Sequence, residues 1–354
     1  MNSEKTIAVV GSGIAGVSTA WHVDPSIKVF VLEQSSRLGG HTHTHTLQIE
    51  DKIVDVDSGF IVFNKTNYPN FIEWLKKLDV RWTKSNMSFS FSLDNGKFEW
   101  SGKNLGAVFA QKRNIISPGF YYMLYEINRF NNLAKKISIN PDLIGNVNIK
   151  KFLSAENFDE RFCKYYIFPM ASAIWSTPEN KILNFPALNL INFFNNHGLL
   201  NFSNHFDWFS ILGGSKTYLN KFLDYSENRK ENNIHILKNH KVETVRFLRD
   251  KNNLEKIKIT GFDKKNSNGF ELSVDGVVLS CHSNQSAKIL RENEQNHTIL
   301  DKIKYQKNTA VLHCDESQMP IRKRVWSAWN YISKSQENNE SESLNVSYWM
   351  NSLQ

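Results

Sequence analysis

Ten residues near the amino terminus, Gly39–Gln48 (GGHTHTHTLQ), set His41, His43 and His45 at alternating positions. On a β-strand that period of two puts all three imidazoles on one face. Three neutral imidazoles on one face have the chemistry to hold zinc or copper. A closed site needs further ligands, and the spacing of the remaining residues identifies none, so no metal is expected. The other readings are polar side chains beside a cofactor, suggested by the paired glycines in front of them, or a plain polar strand face.

A second set of residues lies upstream. Gly11, Ser12, Gly13, Ile14, Ala15 and Gly16 form GSGIAG, a GxGxxG pattern. The first glycine permits a tight turn, the second lets backbone approach a pyrophosphate, and the third lets a helix pack on a strand. N–H groups and the positive end of a helix dipole would then face phosphates. Glu33 follows Gly11 by 22 residues, where a carboxylate accepts ribose hydroxyls and repels a 2′-phosphate, which disfavours NADP. GxGxxG alone is weak evidence, so its surroundings decide.

Those surroundings are the elements that must position the glycines. TIAVV (6–10) reads as a strand buried on both faces, VSTAWHV (17–23) suits a helix, and KVFVLE (28–33) reads as a second buried strand. Together they make a βαβ unit of the dinucleotide-binding type.

After Glu33 the chain reads QSSRLGGH, with Gln34, Arg37, Gly39, Gly40 and His41. This run resembles the extended fingerprint of flavoproteins of the amine oxidase and phytoene desaturase type. The resemblance implies FAD rather than NAD, with Glu33 on the adenosine ribose, and Arg37, Gly39 and Gly40 along the pyrophosphate and towards the flavin. His41 stands where amine oxidases often have Arg, near the phosphates or the flavin. Longer stretches are similar to one group of bacterial proteins described as NAD/FAD-binding proteins or flavin-containing amine oxidoreductases. Among them are VDSGFIVFNKTNYPNF, FPMASAIWSTPENKILNFPALNLINFFNNHGLL, GGSKTYL and VVLSCHSNQSAKIL. That group resembles a domain fused ahead of cyclopropane fatty acid synthases in plants, and its bacterial members are often linked with such lipid methylases. The resemblance therefore implies an FAD-dependent oxidoreductase with a fatty-acyl or other small-molecule substrate and a functional link to a lipid methylase, the alternatives being a true amine oxidase or a non-catalytic dinucleotide-binding chain. A reduced flavin would pass its electrons to oxygen or another acceptor. Members of the group continue beyond YWMNSLQ with a glycine-rich flavin-side segment, which the resemblance implies this chain lacks.

At 354 residues, a length prior suggests about two domains. With 40% hydrophobic and 22% charged residues a sizeable core is expected and global disorder is not. The net charge of +8 favours anionic partners, but no compact run of Lys and Arg resembles a nucleic-acid arm, and no nucleic-acid partner is expected. Docking on an anionic membrane surface is compatible with that charge; the alternative is Lys spread over solvated faces. Cys163, Cys281 and Cys314 are too few and scattered for a disulfide framework, which points to a reducing, cytoplasmic setting. MNSEKTIAVV has no basic n-region followed by an apolar stretch, so no signal peptide is expected. No apolar run approaches the roughly 20 residues that span a bilayer.

The fold class expected is α/β: an FAD-binding Rossmann-like domain of glutathione reductase type, interleaved with an α+β substrate domain as in amine oxidases. The FAD domain is expected over 1–75 and 205–290. A mainly helical substrate domain is expected over 76–204, with a return over 291–354. Within these, Phe71, Trp74, Leu75 and Leu78 share one helical face, as do Leu124, Ile127, Phe130 and Leu133 on a helix over 121–136. VETVRFLRDKNNLEKIKITGF and FELSVDGVVLSC read as strands joined by polar turns. The resemblance places Val242 on the first of these, where its backbone would bond the adenine; otherwise it is a plain sheet residue. SKSQENNESES (333–343) is expected as a surface loop.

Trp175, Phe193, Phe194, Trp208 and Trp326 are aromatic candidates for a substrate cavity, each also readable as core. His197 and His282 are candidate proton carriers, each also readable as structural. Lys307 lies roughly where amine oxidases place a lysine near the flavin. No catalytic residue is assigned.

Overall fold

β1 (Thr6–Val10) and β2 (Lys28–Glu33) pair in parallel, Val10 opposite Leu32, and α1 (Ile14–His22) crosses between them. The computed structural model describes residues 5–201, 206–228, 233–249, 255–291, 298–334 and 345–354. The strand Gly276–Leu279 lies parallel on the other side of β1, and Ile234–Lys238 lies parallel beyond β2, completing a four-stranded sheet. An all-parallel sheet must be covered on both faces, which is why its strands are nearly continuous apolar runs. Ala8, Val10 and Leu32 pack against Val242, Val245, Ile257, Ile259 and Val274 of an antiparallel meander, His240–Arg249, Glu255–Asp263 and Asn268–Val274. Alternation turns the fully buried Val9 and Val31 to the opposite face. α1 buries Gly16, Val17 and Ala20, and its Trp21 lies against Tyr225 of the helix Lys216–Asn228, ring centres 3.8 Å apart.

The loop after β2 leads into a hairpin of β3 (Thr44–Ile49) and β4 (Lys52–Asp57). The buried Asp57 carboxylate ties its base down, accepting from the Ser215 N–H at 2.8 Å and the Ser215 hydroxyl at 2.8 Å.

The chain divides into two compact units, each built from three stretches: 1–61, 73–81 and 211–307 in the first, and 62–72, 82–210 and 308–354 in the second. The boundaries expected near 75, 204 and 290 compare with unit changes at 61/62, 72/73, 81/82, 210/211 and 307/308. The segment 335–344, which holds most of the expected surface loop, lies outside the described residues.

In the second unit a four-stranded sheet runs in the order Val346–Tyr348, Trp329–Ser333, Phe89–Leu93, Phe98–Ser101, beside a helical core. The helix Pro118–Ile139 starts where the Ser117 hydroxyl accepts from the Phe120 N–H and Pro118 supplies a preset φ. Its buried face is Phe120, Met123, Ile127, Phe130, Ala134 and Ile137. Leu124 and Leu133, expected on that face, are only half-buried. The helix is rotated so that Phe130 meets Phe152, Phe158, Phe162 and Phe194, ring centres 5.7–6.5 Å away. Further on, Glu160–Phe162, Cys163–Ile167 and Phe168–Trp175 run on as one helix with a π turn in the middle. The Phe168 N–H reaches the Cys163 carbonyl, five residues back, immediately before Pro169. Burial pushes the Cys163 thiol up to about 12, so it is no nucleophile near neutrality.

Rotation of the long helix also buries Glu126. Its carboxylate accepts from Arg129 Nε at 2.8 Å and Arg129 Nη2 at 2.7 Å, and from the Asp159 N–H at 3.0 Å. The Arg129 hydrogen bonds hold Glu126 below its ordinary value of 4.5. The unfolded chain therefore takes up this proton first. The pair's contribution is complete above 4.5 and is lost as pH falls through the lower folded value. Glu126→Gln is expected to destabilise the protein by about 2 kcal/mol at pH 7. The difference from wild type should shrink in urea melts below pH 4.5; a difference unchanged down to pH about 3 would contradict this.

Candidate dinucleotide-binding site

The carboxyl ends of parallel strands are where open α/β sheets bind ligands, and here the ends of β1, β2 and Gly276–Leu279 carry the glycine loop, Glu33 and Ser280–His282. Gly11 has φ +100°, a region that favours glycine, and its N–H donates to the Leu32 carbonyl at 2.9 Å. A Cβ at Gly11 would stand 3.0 Å from the Ser280 carbonyl oxygen, so the segment after the fourth strand packs on the loop. A Cβ at Gly16 would fall 1.9 Å from the Gly11 carbonyl oxygen, which is how closely α1 approaches β1.

Gly13 is different. It is the N-cap of α1, with no side-chain cap, and a Cβ there would meet nothing within 4 Å. The first intrahelical bond runs from the Val17 N–H to the Gly13 carbonyl. The N–H groups of Ile14, Ala15 and Gly16 therefore lack an intrahelical acceptor, and the dipole's positive end is directed at open space. Ile14 and Ala15 are exposed. Gly39 forms a parallel bridge with Gly13, its N–H donating to the Ser12 carbonyl at 3.0 Å. A Cβ at Gly40 would lie 3.1 Å from the Gly13 Cα. The two glycine pairs thus meet as bare backbone.

Glu33 is buried and makes three hydrogen bonds. It accepts from the Ser12 N–H at 3.0 Å, the Ser12 hydroxyl at 2.6 Å and the Ser35 N–H at 2.8 Å. A carboxylate has about four acceptor positions, so it fixes the loop and retains capacity for a ligand hydroxyl. Arg37 turns back on its own loop, donating to the Thr42 carbonyl at 2.9 Å and the Gly40 carbonyl at 3.0 Å. It braces the paired glycines. Gln34 is exposed at the end of β2.

The three alternating histidines separate. β3 begins only at Thr44, which leaves His41 outside the strand. The His41 ring faces that of His282 at 5.4 Å, and His282 stacks on Tyr305 at 4.4 Å and 11°. His45 Nε2 lies 2.8 Å from the Ser58 hydroxyl, and the His43 and His45 rings are 4.1 Å apart. Burial, then Arg37 and His45, lower the pKa of His43. No group of three or more His, Cys, Asp or Glu converges as a metal-ligand set among the described residues.

Val242 lies on the meander strand with its side chain in the core cluster that holds Val10 and Leu32. The register shifts between Val242 and Thr244, a β-bulge of the kind often found beside binding sites. Gly11, Ser12, Gly13, Gly16, Glu33, Arg37, Gly39, Gly40 and His41 are thus linked around one loop. Val242 lies in the core cluster on the meander side, and His282 joins from the chain's later part. The Ser280 and Ser35 contacts have no motif of their own in the sequence; the only signal is small residues just after a buried strand.

In the second unit Trp175, Phe193, His197 and Trp208 form a row. Successive ring centres lie 5.2, 3.7 and 6.0 Å apart. His197 Nδ1 donates to the Phe193 carbonyl at 2.8 Å, and burial lowers its pKa, so it is neutral near pH 7. Phe194 is fully buried in the helical core. Trp326 is buried, its indole N–H donating to the Pro320 carbonyl at 2.7 Å. Lys307 is exposed on a stretch, 304–315, without regular structure.

Residues 9–78 match a family described as an NAD(P)-binding Rossmann-like domain. Among solved structures, the chain is similar to a putrescine oxidase bound to putrescine, with TM-score 0.52 and 15% identity over 80% of this chain and 60% of that one. It is similar to the cyclohexylamine oxidase from Brevibacterium oxydans IH-35A, with TM-score 0.56 and 15% identity over 81% of this chain and 60% of that one. A third similar structure is a CLA-producing fatty acid isomerase from P. acnes, with TM-score 0.54 and 12% identity over 83% of this chain and 63% of that one. The chain thus spans 60–63% of the length of these proteins. No curated protein matches it. The likeness shows the fold: α/β, of amine-oxidase type, with a Rossmann-like NAD(P)-binding domain.

Proposed function

We propose that the chain holds FAD and serves an FAD-dependent oxidoreductase that takes two electrons from a substrate C–H bond, with a fatty-acyl chain as the substrate class. The observation that carries the reading is the bare backbone at Gly13 and Gly40, with space for a Cβ at Gly13, over an uncapped helix N-terminus. FAD, when bound, supplies the two-electron chemistry. The chain's residues do the rest. First-turn N–H groups of α1 bind the pyrophosphate, Gly13 and Gly40 let it approach, and Glu33 accepts the adenosine ribose hydroxyls. Arg37 holds the loop carbonyls that shape this cradle.

The acyl assignment rests on the resemblance to proteins linked with lipid methylases, and on the apolar aromatic row Trp175–Phe193–His197–Trp208. An amine would call for an anionic or polar anchor. The half-buried carboxyl of that unit's Glu179 already accepts from the Tyr331 hydroxyl at 2.9 Å, and desolvation raises its pKa. An amine substrate is the second reading, favoured by the two amine oxidases among the similar structures.

The visible absorbance spectrum of the purified chain tests the cofactor. The expected result is flavin bands, either as isolated or after addition of FAD, that bleach with dithionite. A folded protein that stays colourless and leaves FAD fluorescence unquenched would sink the reading and support a non-catalytic chain. Anaerobic mixing then tests the substrate: bleaching by a fatty acid supports the acyl assignment, and bleaching by a diamine alone replaces it with the amine reading.

A further inference from the structure

Away from the glycine loop, in the second unit, a pocket of about 380 Å³ is lined by Lys97, Lys112, Arg113 and Arg322, with Gly96 and Gln111 between them. Of its four cations only Arg322 is ion-paired among the described residues, to the fully buried Glu99 at 2.8 Å. Glu99 also accepts from the Ile321 N–H at 2.8 Å and the Ser92 hydroxyl at 2.8 Å. It acts as a fixed base plate, leaving the pocket mouth positive. Lys112 and Arg113 are exposed.

The same short 3₁₀ helix that supplies Lys112 and Arg113, Lys112–Ile116, ends in two exposed isoleucines, Ile115 and Ile116, the second 82% exposed. At three residues per turn, Ile115 follows Lys112 and Ile116 follows Arg113 on the same side of the helix, about 6 Å further along its axis. The Tyr121 hydroxyl donates to the Ile115 carbonyl at 3.0 Å, which brings an exposed tyrosine beside them, and Leu105 is 78% exposed on the preceding short helix. Between Gly102 and Tyr125 the chain carries Lys103, Lys112 and Arg113 and no acidic residue. Isolated exposed apolar side chains need no explanation, but a cluster bordered by unpaired cations does.

We propose that this face docks on an anionic phospholipid bilayer: the basic pocket takes a lipid phosphate, and Ile115 and Ile116 enter the acyl boundary. Each part matches one feature of such a surface. Basic side chains are drawn to its negative potential; apolar side chains bury themselves at the headgroup boundary, and tyrosine settles at the interface. This is contact from one side. No helix among the described residues is long and apolar enough to cross a membrane.

The test is co-sedimentation of the full chain with vesicles of phosphatidylglycerol and phosphatidylcholine, against phosphatidylcholine alone. Binding is expected only to the anionic vesicles, and should be lost at about 0.5 M salt, where screening shortens the range of the field. K112E/R113E should weaken it at least about tenfold, on the scale known for basic residues at anionic membranes. I115S/I116S should also weaken it, at unchanged thermal midpoint because both side chains are already exposed. Failure of the wild-type chain to bind anionic vesicles, equal binding to neutral ones, or unaltered binding by both variants would overturn the proposal. Full displacement by millimolar glycerol phosphate, with I115S/I116S binding like wild type, would also overturn it and assign the pocket to a soluble phosphate ester.

Discussion

A Gly13→Val chain is expected to fold and to bind FAD about a hundredfold more weakly. Gly13 has φ −63° and ψ 178°, ordinary extended backbone that valine adopts without strain. A Cβ there meets nothing within 4 Å. The remaining cost is a poorer N-cap, about 1 kcal/mol, which lowers the thermal midpoint by roughly 2–4 °C. The branched side chain would fill the space proposed above for the pyrophosphate. Overpacking of this kind costs about 3 kcal/mol, roughly a hundredfold in Kd. FAD titration by fluorescence quenching, with a thermal melt alongside, measures both effects. Wild-type affinity in the variant would show that the glycine loop does not face the ligand.

The second large effect comes three residues on and has the opposite character. Gly16→Val should damage the fold itself, because its Cβ would stand 1.9 Å from a backbone carbonyl oxygen that no rotamer can move aside. α1 must lift from β1, and the buried Val17 and Ala20 lose part of their packing. A cost of about 3 kcal/mol, a midpoint lowered by roughly 6–12 °C, is expected. Flavin loss would then follow from unfolding rather than precede it. A Gly16→Val chain that melts with wild type would mean that α1 does not lie this closely on β1.

The motif already gives these two glycines different tasks, and the structure adds what each one borders, which marks how far sequence reading reaches. The βαβ unit was legible because every part of it is local. TIAVV and KVFVLE show the runs of a doubly buried strand, and a GxGxxG between them needs no distant partner to be read. The α/β class follows from the same residues. For the helix Pro118–Ile139, existence was legible, but its buried face was not. Leu124 and Leu133 fit the helical period as well as Met123 and Ala134 do, and only the phenylalanines packed around Phe130 select the rotation.

The histidine run is the clearest case of a local pattern overruled. Its alternation matches one strand face, yet the chain turns at Gly39 and Gly40, both with positive φ, and the strand starts too late to include His41. What His41 faces instead is His282, carried in by a strand from the chain's later part.

By itself, then, the sequence determined the dinucleotide-binding unit, the loop glycines and the acid at the end of β2, since each is encoded by neighbours within a few turns or one strand. The tertiary structure added how closely each glycine is approached: a Cβ at Gly16 would fall 1.9 Å from a carbonyl oxygen, and one at Gly13 would meet nothing within 4 Å. It also decided that Ser12 and Ser35 hold Glu33, and that Arg322 joins Lys97, Lys112 and Arg113 in one basic pocket. Such meetings depend on how closed loops and packed layers bring distant residues into register, and no period or motif along the chain encodes that.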